Sequence, residues 1–250
     1  MKSIKITELT KTKSFTITGN QIGQLEGWEY PTVISAIDDV PGNNGASYVN
    51  SKFGRRRFSY QGLIKGQDWA DRITMGLALR QTGLLKKLEF TTLNDLLLQA
   101  YVEVLSLDYK YSKQDMAFLI ELVAPDPRYY SQTLNDTEFD NSDTKNVTNA
   151  GNEITCPSFK LTGSGTYWTL TNNTTGETFS IERTISGTDY IEIDVETHEV
   201  LLNGVTSVFG DFSGDFFCLD PGVNSITSSV TGGDGTTAIH VYHRDAYITL

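Results

Sequence analysis

The residues with chemistry to offer are few, and their spacing suits little of it. The three histidines are His198, His240 and His243. On a strand, residues three apart point to opposite faces, so His240 and His243 cannot share a metal there. The sequence holds no HExxH, no GxSxG, no Walker loop and no Cys-x-x-Cys, so the common metal-hydrolytic, serine-hydrolytic, nucleotide-binding and redox arrangements are missing. Asp136, Glu138 and Asp140 alternate as calcium-loop ligands do. Asn141, however, stands where glycine is wanted and Val147 where the bidentate glutamate belongs, so a solvated acidic linker is expected. Carboxylate pairs are too many to single out glycosidase acids. Trp168 falls on a strand-like run, where a tryptophan either stacks a sugar ring or fills a core, and the core is the commoner place. Arg55, Arg56 and Arg57 are adjacent. They read either as a solvated hairpin flank or as a charge cluster for a partner's phosphate or carboxylate. No catalytic, cofactor-binding or metal-binding residue is assigned.

Charge divides the chain. Residues 1–133 hold 16 Lys and Arg against 14 Asp and Glu, whereas residues 134–250 hold 4 against 17. A half that acidic disfavours phosphate backbones and anionic lipid, which argues against nucleic acid and membrane as its partners. No apolar run reaches membrane-spanning length and the first residues lack a signal-peptide core, so a soluble protein made in a cytoplasm is expected. The two cysteines, Cys156 and Cys218, allow one bridge, but both lie in strand-like runs and read as small buried apolar residues. Asn135, Asn146, Asn172 and Asn173 each open an Asn-x-Thr triplet, a pattern polar loops generate freely.

These residues must be positioned by a sheet-rich chain with an elbow in the middle. Met116 to Val123 is a compact apolar run that reads as a buried strand. Pro125 and Pro127 then remove two backbone donors and hold the chain extended, and Gln132 to Asn152 is polar and turn-rich. Upstream, strands are expected at Ser14–Thr18, Trp28–Ser35, Phe58–Lys65, Lys87–Thr92 and Tyr101–Leu107. Asp38 to Asn50 reads as a long irregular stretch, either disordered or used for contacts. One helix is expected from Asp68 to Gln81, where Trp69, Ile73 and Leu77 make an apolar stripe and Gly83 suits the stop.

Downstream, eight short strand-like runs span residues 158 to 242: 158–161, 167–171, 178–182, 190–195, 199–202, 216–219, 224–228 and 238–242. Turn chemistry separates them at Asn172 to Gly176, Ser186-Gly187, Asn203-Gly204 and Asp220-Pro-Gly222. Short strands at such spacing, without a helical stripe, define a β-sandwich or jelly roll. Ala238 to Leu250 is too long for one strand and is interrupted at Arg244-Asp245, so the last residues are expected to leave that sandwich for the first domain.

The order of features resembles the distal tail protein (Dit) family of siphophages. The resemblance rests on the helix Asp68–Gln81, the strand and elbow Phe118 to Tyr130, and Asn149-Ala-Gly-Asn-Glu-Ile-Thr-Cys-Pro-Ser158. Beyond these it rests on Thr175 to Ile181, the hairpin Ile191 to Gly204, Phe217-Cys-Leu-Asp-Pro-Gly-Val-Asn224 with the two residues after it, and the ending His243 to Leu250. It implies a mainly β (β-rich α+β) chain. The N-terminal belt domain is sandwich-like with one α-helix, spans residues 1–133 and is completed by 244–250. Residues 134–243 form a galectin-like, jelly-roll β-sandwich. The resemblance further implies a structural virion protein that is not an enzyme and needs no cofactor. Six copies form a ring at the tail tip after assembly in the host cytoplasm. The expected partners are other copies of itself, the tail tube protein, the tape-measure protein, the tail-associated tip protein and receptor-binding proteins. The interface residues expected from the sequence are Arg55, Arg56 and Arg57, beside the arm Asp38–Arg57. A different class, a carbohydrate-binding module on host cell-wall glycans, is the alternative, and a wall-degrading enzyme stands third.

Overall fold

The computed structural model describes residues 1–8, 14–18, 22–39, 44–64, 85–111 and 115–250. Two compact units result, Met1–Gln132 with Ile248–Leu250, and Thr133–Tyr247. Both are built from antiparallel strands. The helix expected over Asp68–Gln81 lies outside the described residues.

The first unit contains β1 (Ser3–Glu8), β2 (Ser14–Thr18), β3 (Ile22–Glu26), β4 (Val33–Asp39), β5 (Ala46–Phe53), β6 (Arg56–Ile64), β7 (Lys86–Thr91), β8 (Leu97–Tyr111), β9 (Met116–Ala124) and β10 (Tyr129–Ser131). Seven of them lie in the order β2-β1-β7-β8-β9-β6-β3, and β10 adds to β8. β8 is the hinge of this sheet. Its first residues pair with β7 and its later ones with β9, with a register shift between Val104 and Ser106. A bulge of this kind bends a strand, so one long strand serves two faces of one core. Alternation does the rest: Leu88, Phe90, Phe118, Ile120, Phe58 and Tyr60 turn inward and are buried. Trp28 lies 4.7 Å from Phe58 and 5.1 Å from Phe90, and Phe90 lies 5.1 Å from Tyr129. These four rings join the two faces, in tilted and edge-on arrangements that suit aromatic quadrupoles.

Two sequence expectations are corrected here. The strand expected from Trp28 begins only at Val33, because Trp28 turns into the core ahead of Pro31. The described part of the stretch Asp38 to Asn50 is largely strand: β4 and β5 pair from Val33↔Phe53 to Asp39↔Ala46 as a separate two-stranded sheet. β-Branched runs on either side of a glycine- and asparagine-rich tip carry that signal, and Gly45 has the positive φ of 109° such a tip uses.

The second unit contains β11 (Asn135–Phe139), β12 (Ser142–Asn149), β13 (Ser158–Thr162), β14 (Gly165–Asn172), β15 (Glu177–Ile185), β16 (Tyr190–Asp194), β17 (Glu199–Leu202), β18 (Thr206–Ser207), β19 (Phe212–Gly214), β20 (Gly222–Thr231), β21 (Ala238–His243) and β22 (Ala246–Tyr247). One sheet runs β11-β21-β13-β16-β17-β18 and the other β12-β20-β14-β15-β19. Their inner faces make a single core around Phe159, Trp168, Phe179, Ile193, Phe217 and Val241. Phe159 and Phe179, one from each sheet, meet edge-on at 5.0 Å. Between β17 and β18, Asn203 and Gly204 both take positive φ, as the Asn-Gly turn requires.

The polar segment Gln132 to Asn152 holds β11 and β12, not a linker, and each adds an outer strand to one sheet. Its alternation of polar with few apolar residues hid it: β11 buries only Phe139, and β12 only Val147 and Asn149. Conversely, Phe216 to Leu219 forms no strand. Three fully buried asparagines and a disulfide hold this run and its surroundings. Asn149 Nδ2 donates to the Glu153 carbonyl at 2.8 Å, and its Oδ1 accepts from Gly151 N at 3.1 Å. Asn172 Oδ1 accepts from Thr174 N at 3.0 Å. Asn224 brackets Asp220, accepting from its N–H at 3.0 Å and donating to its carbonyl at 2.9 Å. These side chains replace ladder hydrogen bonds where the strands end, which buried backbone groups demand. Thr155 and Leu219 exchange backbone hydrogen bonds at 3.1 and 2.8 Å, which brings their neighbours Cys156 and Cys218 to a Cα separation of 4.2 Å. The two are disulfide-bonded, so the reading of both as separate small core residues is corrected. Gly151 is required beside them, because a Cβ there would stand 1.8 Å from the Ala246 carbonyl oxygen.

The bridge closes a 62-residue separation. Reduction, or Cys156→Ser with Cys218→Ser, is expected to lower the stability of this unit by about 2–4 kcal/mol. Denaturant melts of oxidised and reduced protein check it; coincident curves would show that the bridge contributes nothing.

Candidate functional site

The hairpin β4–β5 differs from the other described strands of the first unit because its side chains find no cover. All seven residues of β4 are exposed, as are all of β5 save the half-buried Phe53. The register places Val33 opposite Phe53 and Ile37 opposite Tyr48. A register shift between Ala36 and Ile37 lets the cross-strand partners Val33, Phe53, Ile37 and Tyr48 share one face, and Tyr30 extends that face by its edge-on contact with Phe53 at 5.5 Å. Ile37 is 59% and Tyr48 63% exposed, high values for an isoleucine and a tyrosine on one strip. A lone two-stranded hairpin is at best marginally stable in water. An apolar strip on such a hairpin is the mark of a contact surface.

The three adjacent arginines at the foot of this hairpin do not act together. Arg55 and Arg57 are exposed, while Arg56 is buried to 1%. Strand alternation explains the split: β6 begins at Arg56, which points to the same side as Phe58 and Tyr60. Arg56 Nε donates to the Pro127 carbonyl at 2.8 Å, and Nη1 to the carbonyls of Gly27 and Trp28 at 3.3 Å each. Nη2 donates to the Ile248 carbonyl at 2.6 Å. The guanidinium carbon stands 4.3 Å over the Tyr129 ring, and the Tyr129 hydroxyl donates to the same Trp28 carbonyl at 2.9 Å. Burial pulls the Arg56 pKa below its ordinary value against the opposing pull of Tyr129 and Asp126, and burial pushes the Tyr129 hydroxyl up. Arg56 is therefore a structural clamp, and the interface cluster expected from the sequence loses its middle member. What the sequence reading missed is the apolar strip itself, which alternating β-branched and aromatic residues on both sides of Pro41-Gly-Asn-Asn-Gly45 would have signalled.

The remaining candidates fall in the second unit. His240 and His243 occupy opposite faces of β21. His240 Nδ1 lies 3.1 Å from Asp136 on the outer face, while His243 is buried with Nε2 3.0 Å from the Thr148 carbonyl. Asp136 and Glu138 sit on β11 beside β21, and among the described residues no three metal-ligating side chains gather. Trp168 is fully buried with Nε1 donating to the Arg183 carbonyl at 3.2 Å, so its ring is core. The outer face of the six-stranded sheet carries a shallow cavity of about 310 Å³ lined by Ser158, Lys160, Glu192, Asp194, Glu199 and Tyr242. Burial pushes the Tyr242 hydroxyl up, and the carboxylates of Asp136, Glu138 and Glu192 add to the shift.

Two β-rich units result, one with an uncovered hairpin, and among the described residues neither holds a catalytic constellation. Residues 150–247 match the family described as siphovirus-type tail component, C-terminal domain. That match lies wholly within the second unit and covers less than half of the chain. No curated protein matches it in sequence. Among solved structures, the fold is similar to that of Dit (gp 19.1) of phage SPP1, described as a paradigm of the hub adsorption apparatus in phages infecting Gram-positive hosts. The TM-score is 0.70 at 10% identity, over 96% of this chain and 98% of that one. Chains of the phage p2 baseplate in its activated conformation are similar at TM-scores of 0.53 with strontium and 0.51 with calcium. Each is 10% identical and covers 98% of both chains.

Arg56→Ala is expected to destabilise the first unit by a few kcal/mol, at about 1–3 for each carbonyl left buried and unpaired. Arg56→Lys should recover little, since one ammonium cannot serve carbonyls in three directions. Arg55→Ala and Arg57→Ala should each stay within about 0.5 kcal/mol of the parent. Thermal melts of the four variants check the split, and equal melting of all four would remove the clamp.

Proposed function

We propose that this chain is a distal tail hub, a structural and non-enzymatic protein of the virion that forms a ring at the tail tip. In this reading six copies close the ring through the first unit. The ring joins the tail tube and tape-measure end on one side to the tail-associated tip protein and receptor-binding assembly on the other. Assembly takes place in the host cytoplasm. The observation that carries the reading is the whole-chain likeness to a hub protein: 96% of this chain and 98% of the other align at a TM-score of 0.70. The uncovered hairpin supports it from the first unit, since a ring needs a surface that a monomer leaves bare. The charge division supports it too. A nearly balanced half suits packing against copies of itself, and an acidic half suits a domain held in water.

Light scattering of the full chain tests this reading. The expected particle has six times the 27.7 kDa mass of one chain, or twice that for stacked rings, and electron-microscopic class averages should show six-fold symmetry. A chain that stays monomeric at high concentration would overturn it.

A further inference from the structure

We propose that neighbouring copies meet tip to foot along the hairpin, with Asp38 and Asp39 of one copy on Arg55 and Arg57 of the next. The proposal rests on the ring reading above and names the surface that makes the ring.

Charge is sorted along this hairpin. Between Tyr30 and Arg57 the acids are Asp38 and Asp39, both at the tip. The bases are Lys52, Arg55, Arg56 and Arg57, all at the foot, and Arg56 is withdrawn into the core. β4 is seven residues long, which at about 3.4 Å each puts tip and foot about 20 Å apart. The two ends of one hairpin therefore cannot neutralise each other. The exposed acids and arginines also make no salt bridge with any described residue of their own chain. Every copy thus carries both halves of a complementary pair at opposite ends of one exposed element.

A second copy is the occupant this pattern fits. Opposite charges on separate patches of the same chain give a heterologous contact, the kind that closes into rings. The apolar strip of Val33, Ile37 and Tyr48 lies between the two charged ends, so a tip-to-foot contact covers it in the same step. Burying that strip supplies affinity, while the charges fix direction and register. The two arginines are unequal. Arg57 shares a notch of about 250 Å³ with Glu26 and Glu121, which offset part of its charge, so Arg55 offers the less compensated one.

Charge exchange in the full chain tests the proposal, read by light scattering at low salt. One variant carries Asp38→Lys and Asp39→Lys, a second carries Arg55→Glu and Arg57→Glu, and a third carries all four changes. The first two are expected to lose assembly and scatter as monomers. Mixing them one to one should restore the wild-type mass, because each then meets its opposite, and the third should assemble alone. Restoration on mixing also shows that both parents are folded. If the wild type assembles and either of the first two variants assembles equally well, the tip-to-foot contact is wrong and the ring reading stands. Failure of both the mixture and the four-fold variant to assemble likewise overturns the contact. A monomeric wild type overturns the ring reading and this contact with it.

Discussion

The first unit is held together at the guanidinium of Arg56. One side chain ties the loop after β3, through Gly27 and Trp28, to the elbow at Pro127 and to the chain end at Ile248. No strand pairing could make that junction, because the segments arrive from three directions and Pro127 has no amide to donate. A guanidinium offers five donors in a fixed plane, which matches carbonyls set around it, and the Tyr129 ring closes the remaining face. Burying a charge is costly, and here several charge-assisted hydrogen bonds and the ring offset that cost. The elbow, the aromatic core and the final residues consequently form one cooperative piece.

The second unit solves a related problem with neutral groups. Where its strands stop, Asn149, Asn172 and Asn224 supply in one side chain the donor and acceptor that a missing ladder partner would have provided. The disulfide and the Thr155–Leu219 pair fasten the same region covalently and by backbone. This arrangement explains the stretches that carry the family resemblance. Asn149-Ala-Gly-Asn152 pairs an amide with a glycine that admits the Ala246 carbonyl, and Leu219 to Asn224 is a loop folded around one asparagine. Such motifs look like loop composition in a sequence, yet each performs a definite hydrogen-bonding task.

A scaffold braced in this way leaves one described element uncovered. The hairpin β4–β5 stands outside both sheets, carries apolar residues without a core to receive them, and sorts its charges to its ends. Neither the buried histidine, the acidic strand β11 nor the buried Trp168 offers a comparable surface.

The sequence by itself determined what depends on local pattern. The strands with clear alternation, the Asn203-Gly204 turn, the proline elbow and the opposite facing of His240 and His243 follow from periodicity and from the φ values particular residues allow. The sandwich class of the second unit followed from the spacing of its strands. Only the tertiary structure decided the rest, because the deciding partners are remote in the chain. Arg56 looks like Arg55 and Arg57 until a neighbour 192 residues away accepts its hydrogen bond. Cys156 and Cys218 look like two core residues until the Thr155–Leu219 pair aligns them. β11 and β12 look like linker because a strand that buries one apolar side chain is polar nearly throughout, and the partners supplying their ladders lie about 70 to 110 residues on. Local pattern fixes which way a side chain points; whether it meets solvent, a carbonyl or another copy depends on what the fold brings to that side.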